Sequence, residues 1–417
     1  MSSAASSTAS ARLGAGRYIE ATDLPAGSLT STHQLTTSDG ATVAGVLHTV
    51  PNAETVVSLM HPRQDLTHHV LVPELVARGV AVWTQGTRSV NNDLNLIHEQ
   101  ALLDVAAGQV FLRERGFSKR VTLGHSGGGT LFAFYHQQAA AAPANRLTSA
   151  PSGRPVDLPG TDMPVPHGAV FMAPHPGQGR LLERLIDPSV SDENDPMSID
   201  PALDPFSPSN GFVTAPESSS YSAEFVDRYR GAQRERIARI DAEARARAAE
   251  TDAARMRFKT SGRPVDRRAA LAPRVLTVYR TDADLRFTDL SLDPNERPYG
   301  SLFGRRPDLT NYGLIGFGRL CTPDAWLSTW SANTTNADFM RCAPDVGAPT
   351  LFIELTGDQA CFPDDARAMV ASLGAEDKTH VRLPGTHFGG SLRPGEPSGA
   401  SLAAVEIGRW LADRFGG

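Results

Sequence analysis

Cysteine is scarce in this chain. The three present in 417 residues, Cys321, Cys342 and Cys361, are odd in number and have no CxxC spacing, which argues against both a disulfide framework and a cysteine-based zinc site. A reduced, cytoplasmic protein is therefore expected, with no metal. Long apolar runs are also missing: no stretch approaches the roughly 18 residues that a membrane span requires, so no membrane partner is expected. The opening MSSAASSTASARLGAGRY lacks the apolar centre of a secretory signal, and residues 1–16 are expected to form a flexible tail. A one-sided charge is lacking too. Forty Lys and Arg stand against 46 Asp and Glu, a net charge of −6, which leaves no basic face for a nucleic-acid partner. No internal repeat is present.

What the chain does have is enough apolar material, 40% of its residues, to bury a substantial core. Residues 32–62 contain three short apolar or alternating bursts, HQLTT, ATVAGVLHTV and TVVSLMHP, read as strands. Then LTHHVLVPELVARG, VAVWTQG, LNLIHEQALLDVAAGQVFLRERG and RVTLGHS alternate helical and strand patterns. That βαβαβ order implies a parallel sheet with right-handed crossovers. HGAVFMAPH, residues 167–175, reads as the next strand.

After residue 175 the rhythm breaks. Acidic, Pro-rich loops follow, with a charged helix expected from about Ser222 to Phe258 that carries Phe225, Tyr229, Ile237, Ile240 and Ala244 as one packed stripe. Alternation resumes with APTLFIELTGD, PDDARAMVASLG, DKTHVRLPGTHF and SLAAVEIGRWLADRF. The expected organisation is a core of residues 17–175 and 346–417, with 176–345 inserted as a cap over the carboxyl ends of the strands, where open parallel sheets bind ligands.

The densest local signal is LGHSGGGTL at residues 123–131. Glycine weakens both strands and helices, so four of them around one serine need a geometric reason. A strand-to-helix turn of the G-x-S-x-G type supplies it, with Gly124, Ser126 and Gly128 in the key positions. A phosphate-cradling loop is excluded because GHSGGGT lacks the P-loop lysine, and no cofactor is expected. A serine hydroxyl is a weak nucleophile and needs a base oriented by a third group. Asp358 ends the run TLFIELTG, and His387 follows THVRLPGT. Asp364 and Asp365 compete as the acid, but PDDARAM reads as a helix start, where acids favour the dipole. His380 competes as the base, yet lies within a strand.

The elbow and the order serine, acid, histidine resemble the α/β-hydrolase fold family. The resemblance covers residues 32–175 and 346–417. It implies a mostly parallel central sheet with helices on both faces, Ser126 as nucleophile, His387 as general base and acid, and Asp358 as its orienting carboxylate. It further implies an oxyanion hole built from the N–H of Gly127 and one from the loop MHPRQDLTHH. There the common His-Gly form is replaced, and because Pro62 has no N–H, Arg63 is the candidate donor. The implied activity is hydrolysis of a carboxylic ester, lactone or thioester in a small-molecule substrate. Amide or carbon–carbon bond hydrolysis is the alternative on the same triad, and a non-catalytic ligand-binding relative is a further one.

Other polar and aromatic residues invite a role. His125, His175, Trp326 and Trp330 are candidate substrate contacts, with core or cap packing as the competing reading for His175 and the tryptophans. Adjacent His68 and His69 would point about 100° apart on a helix and are expected on its surface. Arg88, Asn91, Asn92 and Asp93 are read first as turn and N-cap residues.

Overall fold

The computed structural model describes residues 23–416, so the tail expected at 1–16 lies outside the described residues. Three strands open the fold, β1 (Leu29–Thr36), β2 (Thr42–Thr49) and β3 (Thr55–Met60). There follow α1 (Leu71–Val76), β4 (Ala81–Gln85), α2 (His98–Glu114), β5 (Lys119–His125), α3 (Gly127–Ala140) and β6 (Gly168–Met172). After the insertion come β7 (Thr350–Gly357), α6 (Pro363–Ser372), β8 (Lys378–Thr386) and α7 (Gly399–Phe415). The eight strands form one sheet in the order β1-β2-β4-β3-β5-β6-β7-β8. Only β2 runs against its neighbours β1 and β4; the remaining pairs are parallel.

Burial on both faces explains why the inner strands read as apolar runs rather than as alternations. Every residue of β3, β4 and β6 is buried. One face carries α2, α3 and α6, through Leu102, Val105, Leu131, Phe134 and Met369 against Phe171 and Phe352. The other carries α1 and α7, through Leu71, Leu75, Ile407 and Trp410 against Val57, Val121 and Ile353. This arrangement is the α/β-hydrolase fold.

The insertion joins β6 to β7, which are neighbours in the sheet. It has its own core. The first helix, α4 (Gln178–Leu185), and a 39-residue helix, α5 (Ala223–Ser261), meet through Leu181, Leu182, Ile237, Ile240 and Ala244, with Trp326 and Trp330 filling the space between. The start of α5 is fixed by Ser222, whose hydroxyl accepts from the Phe225 N–H at 3.2 Å. Its stripe residues Phe225, Tyr229, Ile237, Ile240 and Ala244 are all buried. The segment's last residues behave differently: Ala337, Phe339, Cys342 and Ala343 pack under α3 on the sheet face. The change from insertion core to sheet core thus falls near residue 336, ahead of the boundary expected at 345, because FMRCA supplies apolar atoms to the sheet rather than to α5.

Contacts between insertion and sheet concentrate on loops that leave the carboxyl ends of strands. The Asn295 amide donates to the Asp358 carbonyl at 2.8 Å, beyond β7. Arg63, beyond β3, has its guanidinium 4.7 Å from the Phe317 ring centre and 5.1 Å from that of Trp330. Buried Glu99, in the first turn of α2, accepts from Ser328 at 2.6 Å and from Asn336 at 2.9 Å.

Candidate active site

Ser126 occupies the single residue between β5 and α3, with φ 57° and ψ −126°. A non-glycine residue held there costs about 1–3 kcal/mol and persists only where its surroundings over-determine it. Those surroundings are the carbonyl of Met172, which accepts the Ser126 N–H at 3.2 Å, and the Gly129 N–H, which donates to the Ser126 carbonyl at 3.0 Å. The flanking glycines allow backbones to cross. A Cβ on Gly124 would stand 2.4 Å from the Gly128 carbonyl oxygen, and one on Gly128 would stand 2.3 Å from that of Met60. Side chains at either place would push the serine off the end of the strand.

Two further strand ends supply the partners. His387 directly follows β8, and its Nε2 lies 2.9 Å from Ser126 Oγ. Its Nδ1 lies 2.9 Å from each carboxylate oxygen of Asp358, which directly follows β7. A carboxylate only accepts, so the ring proton sits on Nδ1 and Nε2 is free to accept from the serine hydroxyl. Asp358 is fully buried and its Oδ1 also accepts the N–H groups of Ala360 (2.6 Å) and Cys361 (3.0 Å). The rival acids lie elsewhere. Asp364 pairs with Arg367, and Asp365 is 3.1 Å from Arg286, both in the first turn of α6. His380 is held by Glu354 at 3.2 Å.

A second chain of imidazoles braces the first. The His387 carbonyl accepts from His125 Nε2 at 2.7 Å, and His125 Nδ1 lies 3.0 Å from His69 Nε2. Because the carbonyl can only accept, His125 is protonated on Nε2 and takes the His69 proton on Nδ1. His69 Nδ1 in turn accepts the Leu71 N–H at 3.3 Å. His69 thus stands in the turn before α1 and bonds to the strand residue preceding Ser126, which overturns the helix-surface expectation. Burial lowers both rings, His69 to about 4 and His125 well below the ordinary range, the latter helped by its histidine neighbours. Both rings are therefore neutral at neutral pH.

The loop after β3 corrects another expectation. The Arg63 N–H donates to the Nδ1 of His61 at 3.0 Å, and so does that of Gln64, also at 3.0 Å. Arg63 therefore spends its N–H inside its own turn instead of aiming it at the serine, while its guanidinium is paired with Asp93. Gly127 does open α3 beside Ser126, and its vicinity is crowded by side-chain nitrogens. A Cβ at Gly127 would stand 2.4 Å from Gln178 Nε2, 2.9 Å from His61 Nε2 and 3.1 Å from His175 Nε2.

Of the candidate substrate contacts, His125 and His175 are at the elbow. Trp326 is not: its indole N–H donates to Asp241 of α5 at 2.7 Å, deep in the insertion core. Trp330 is fully buried in the same core and reaches the site's margin only as the surface beneath Arg63. Asn92 caps a short helical turn by accepting the Leu94 N–H at 3.2 Å, and Arg88 is bound to Asp39 and Asp104. Sequence reasoning missed His61 and Gln178; the available signal was that each follows a strand, in MHP and HPGQ. Among the described residues no cluster of His, Cys, Asp and Glu could hold a metal ion. The buried Cys361 thiol, raised well above its usual range by burial and then by the Asp358 charge, is no nucleophile.

No protein-family model and no curated protein matches the sequence. Solved structures similar to the chain include an esterase domain from a Rhodothermus marinus protein (11% identity, 92% of this chain and 99% of that one, TM-score 0.43). Others are the α/β hydrolase GrgF from Penicillium sp. sh18 (12%, 93% and 99%, TM-score 0.48) and DcsB in complex with its substrate analogue (14%, 93% and 100%, TM-score 0.48).

Proposed function

We propose that this α/β-hydrolase-fold chain is a serine hydrolase that cleaves a carboxylic ester of a small molecule through an acyl-enzyme. The observation that carries the reading is the continuous path Ser126 Oγ, His387 Nε2, His387 Nδ1, Asp358, with 2.9 Å at each junction. A ligand-binding relative has no use for a serine on a strained turn with its proton directed into a base.

In this mechanism Ser126 Oγ attacks the ester carbonyl carbon while its proton passes to His387 Nε2. Asp358 stabilises the imidazolium that forms and stays ionised. The carbon–oxygen bond to the alcohol then breaks, and His387 returns the proton to the leaving oxygen. Water attacks the acyl-serine under the same base, and collapse releases the acid and restores the hydroxyl. A lactone or thioester enters the same sequence. The insertion serves as a cap over the strand ends: its contacts with the loops after β3 and β7 support that placement.

The test is labelling by a fluorophosphonate probe together with turnover of p-nitrophenyl esters of increasing acyl length. Ser126→Ala is expected to abolish both while leaving the circular dichroism spectrum unchanged, since loss of a triad member costs about 10⁴ to 10⁶ in turnover. A folded variant that kept more than about a tenth of wild-type activity would remove Ser126 from the role.

A further inference from the structure

We propose that side chains complete the oxyanion site: the Nε2–H of His61, supported by those of His175 and Gln178, takes the place that a backbone N–H of the loop after β3 would otherwise fill. This rests on the serine-hydrolase reading above. Four observations lead to it. The loop has withdrawn its own donors, since Pro62 has no N–H and those of Arg63 and Gln64 are both bound to His61 Nδ1.

The same two bonds fix the proton of His61. A backbone N–H can only donate, so Nδ1 is an acceptor and the neutral ring carries its hydrogen on Nε2. His175 is set identically, its Nδ1 accepting the Gly177 N–H at 3.2 Å. Both rings are kept neutral, primarily by burial and then by the Arg63 and histidine charges around them, with His175 pushed down to about 3. Each therefore offers one N–H in a known place.

That place is shared. The Nε2 atoms of His61, His175 and Gln178 all lie within 3.1 Å of where a Gly127 Cβ would be, so a side chain there would displace at least one of them and all three donors converge on the first residue of α3. Gln178 adds an independent indication. It is 1% exposed, yet among the described residues neither its Nε2 nor its Oε1 makes a hydrogen bond of ordinary geometry, although His98 stands beside it. A buried amide left in this state is arranged for something that arrives later, and the developing negative charge on the substrate oxygen is an acceptor of the right kind.

The variants His61→Ala, His61→Gln and Gln178→Met, assayed with p-nitrophenyl acetate and inhibited by phenylboronic acid, test the assignment. Removing one oxyanion donor lowers kcat by about 10²–10³. His61→Ala is expected to show that loss with KM within about threefold and with boronate affinity falling in parallel, because the contact exists only once the carbonyl becomes tetrahedral. Gln carries an N–H near the Nε2 position, so His61→Gln recovers part of the rate, whereas a merely structural histidine would not be rescued in kcat. Gln178→Met keeps the volume and loses about tenfold in kcat. Wild-type kcat in folded His61→Ala, or a loss confined to KM, overturns the proposal. If His61→Ala does not fold, unchanged kcat in Gln178→Met overturns it. An inert wild-type enzyme, by contrast, would sink the serine-hydrolase reading itself.

Discussion

Replacing Asp358 by asparagine leaves the shape of the site intact and reverses one hydrogen bond. The Oδ1 atom accepts two backbone N–H groups, from Ala360 and Cys361, and only an oxygen can remain there. The new amide nitrogen therefore falls at the Oδ2 position, 2.9 Å from His387 Nδ1, where donor would meet donor, while Oδ1, equally 2.9 Å away, is already shared by two N–H groups. The ring escapes by moving its proton to Nε2, which then donates to Ser126 and cannot accept from it. In a serine triad this inversion costs about 10⁴ in turnover, or about 5 kcal/mol of transition-state stabilisation. Initial rates on p-nitrophenyl acetate at about pH 7.5 measure it, with kcat falling and KM little changed. Asp364→Asn and Asp365→Asn serve as controls. Asp364 is exposed beside Arg367, and Arg286, the partner of Asp365, keeps Asp284 at 2.8 Å, so both variants are expected within about threefold of wild type. Near-normal turnover by Asp358→Asn, or collapse of either control, would refute the assignment of the acid.

Gly128→Ala places a Cβ against the Met60 carbonyl and is expected to lower stability by about 1–3 kcal/mol; a urea midpoint equal to wild type would show that β3 and the elbow do not cross so closely. His125→Phe keeps the ring but removes the donor to the His387 carbonyl, and kcat is expected to drop about 10²-fold through misplacement of the base; a wild-type kcat in single-turnover measurements would deny the bracing role. Acid sensitivity follows from the buried imidazoles. His69, His98 and His136 are lowered to about 4 and His175 to about 3, in each case chiefly by burial. A lowered histidine means that the unfolded chain binds the proton first, so stability is full above about 6.5 and declines as the pH falls from there toward 4, by up to about 1.4 kcal/mol per pH unit for each group. Asp104, raised to about 6 by burial, acts in the opposite direction and offsets one of them. Urea midpoints at about pH 7.5, 6 and 5 are expected to decline, and a flat series would contradict this.

The elements of the sheet were legible because each carries its own period or apolar run, and the elbow because its glycines answer to a local crossing. The order of Ser126, Asp358 and His387 was legible for the same reason: each directly follows a strand that announces itself. His61, His69 and Gln178 were not, since nothing periodic marks a loop residue and their meaning comes from elements distant in sequence, 56 residues in the case of His69 and His125. Arg63 shows the limit plainly. Pro62 could be discounted as a donor from covalent structure alone, but only the folded turn reveals that the His61 ring captures the next two N–H groups. Trp326 was ambiguous because an indole suits a pocket or a core equally, and the decision was made by Asp241 on α5.

The separation of the nucleophile from its base, 261 residues, also bears on how the molecule is made. Translation at about 5–20 residues per second leaves roughly 13–50 s between emergence of the elbow and of His387. Throughout that interval a nascent chain holds its serine without its base, and the last strand of the sheet, β8, must dock before the ring can reach it. On the proposed mechanism hydrolysis therefore awaits completion of the sheet, and a ribosome-bound chain or one truncated before His387 is expected to be silent toward esters.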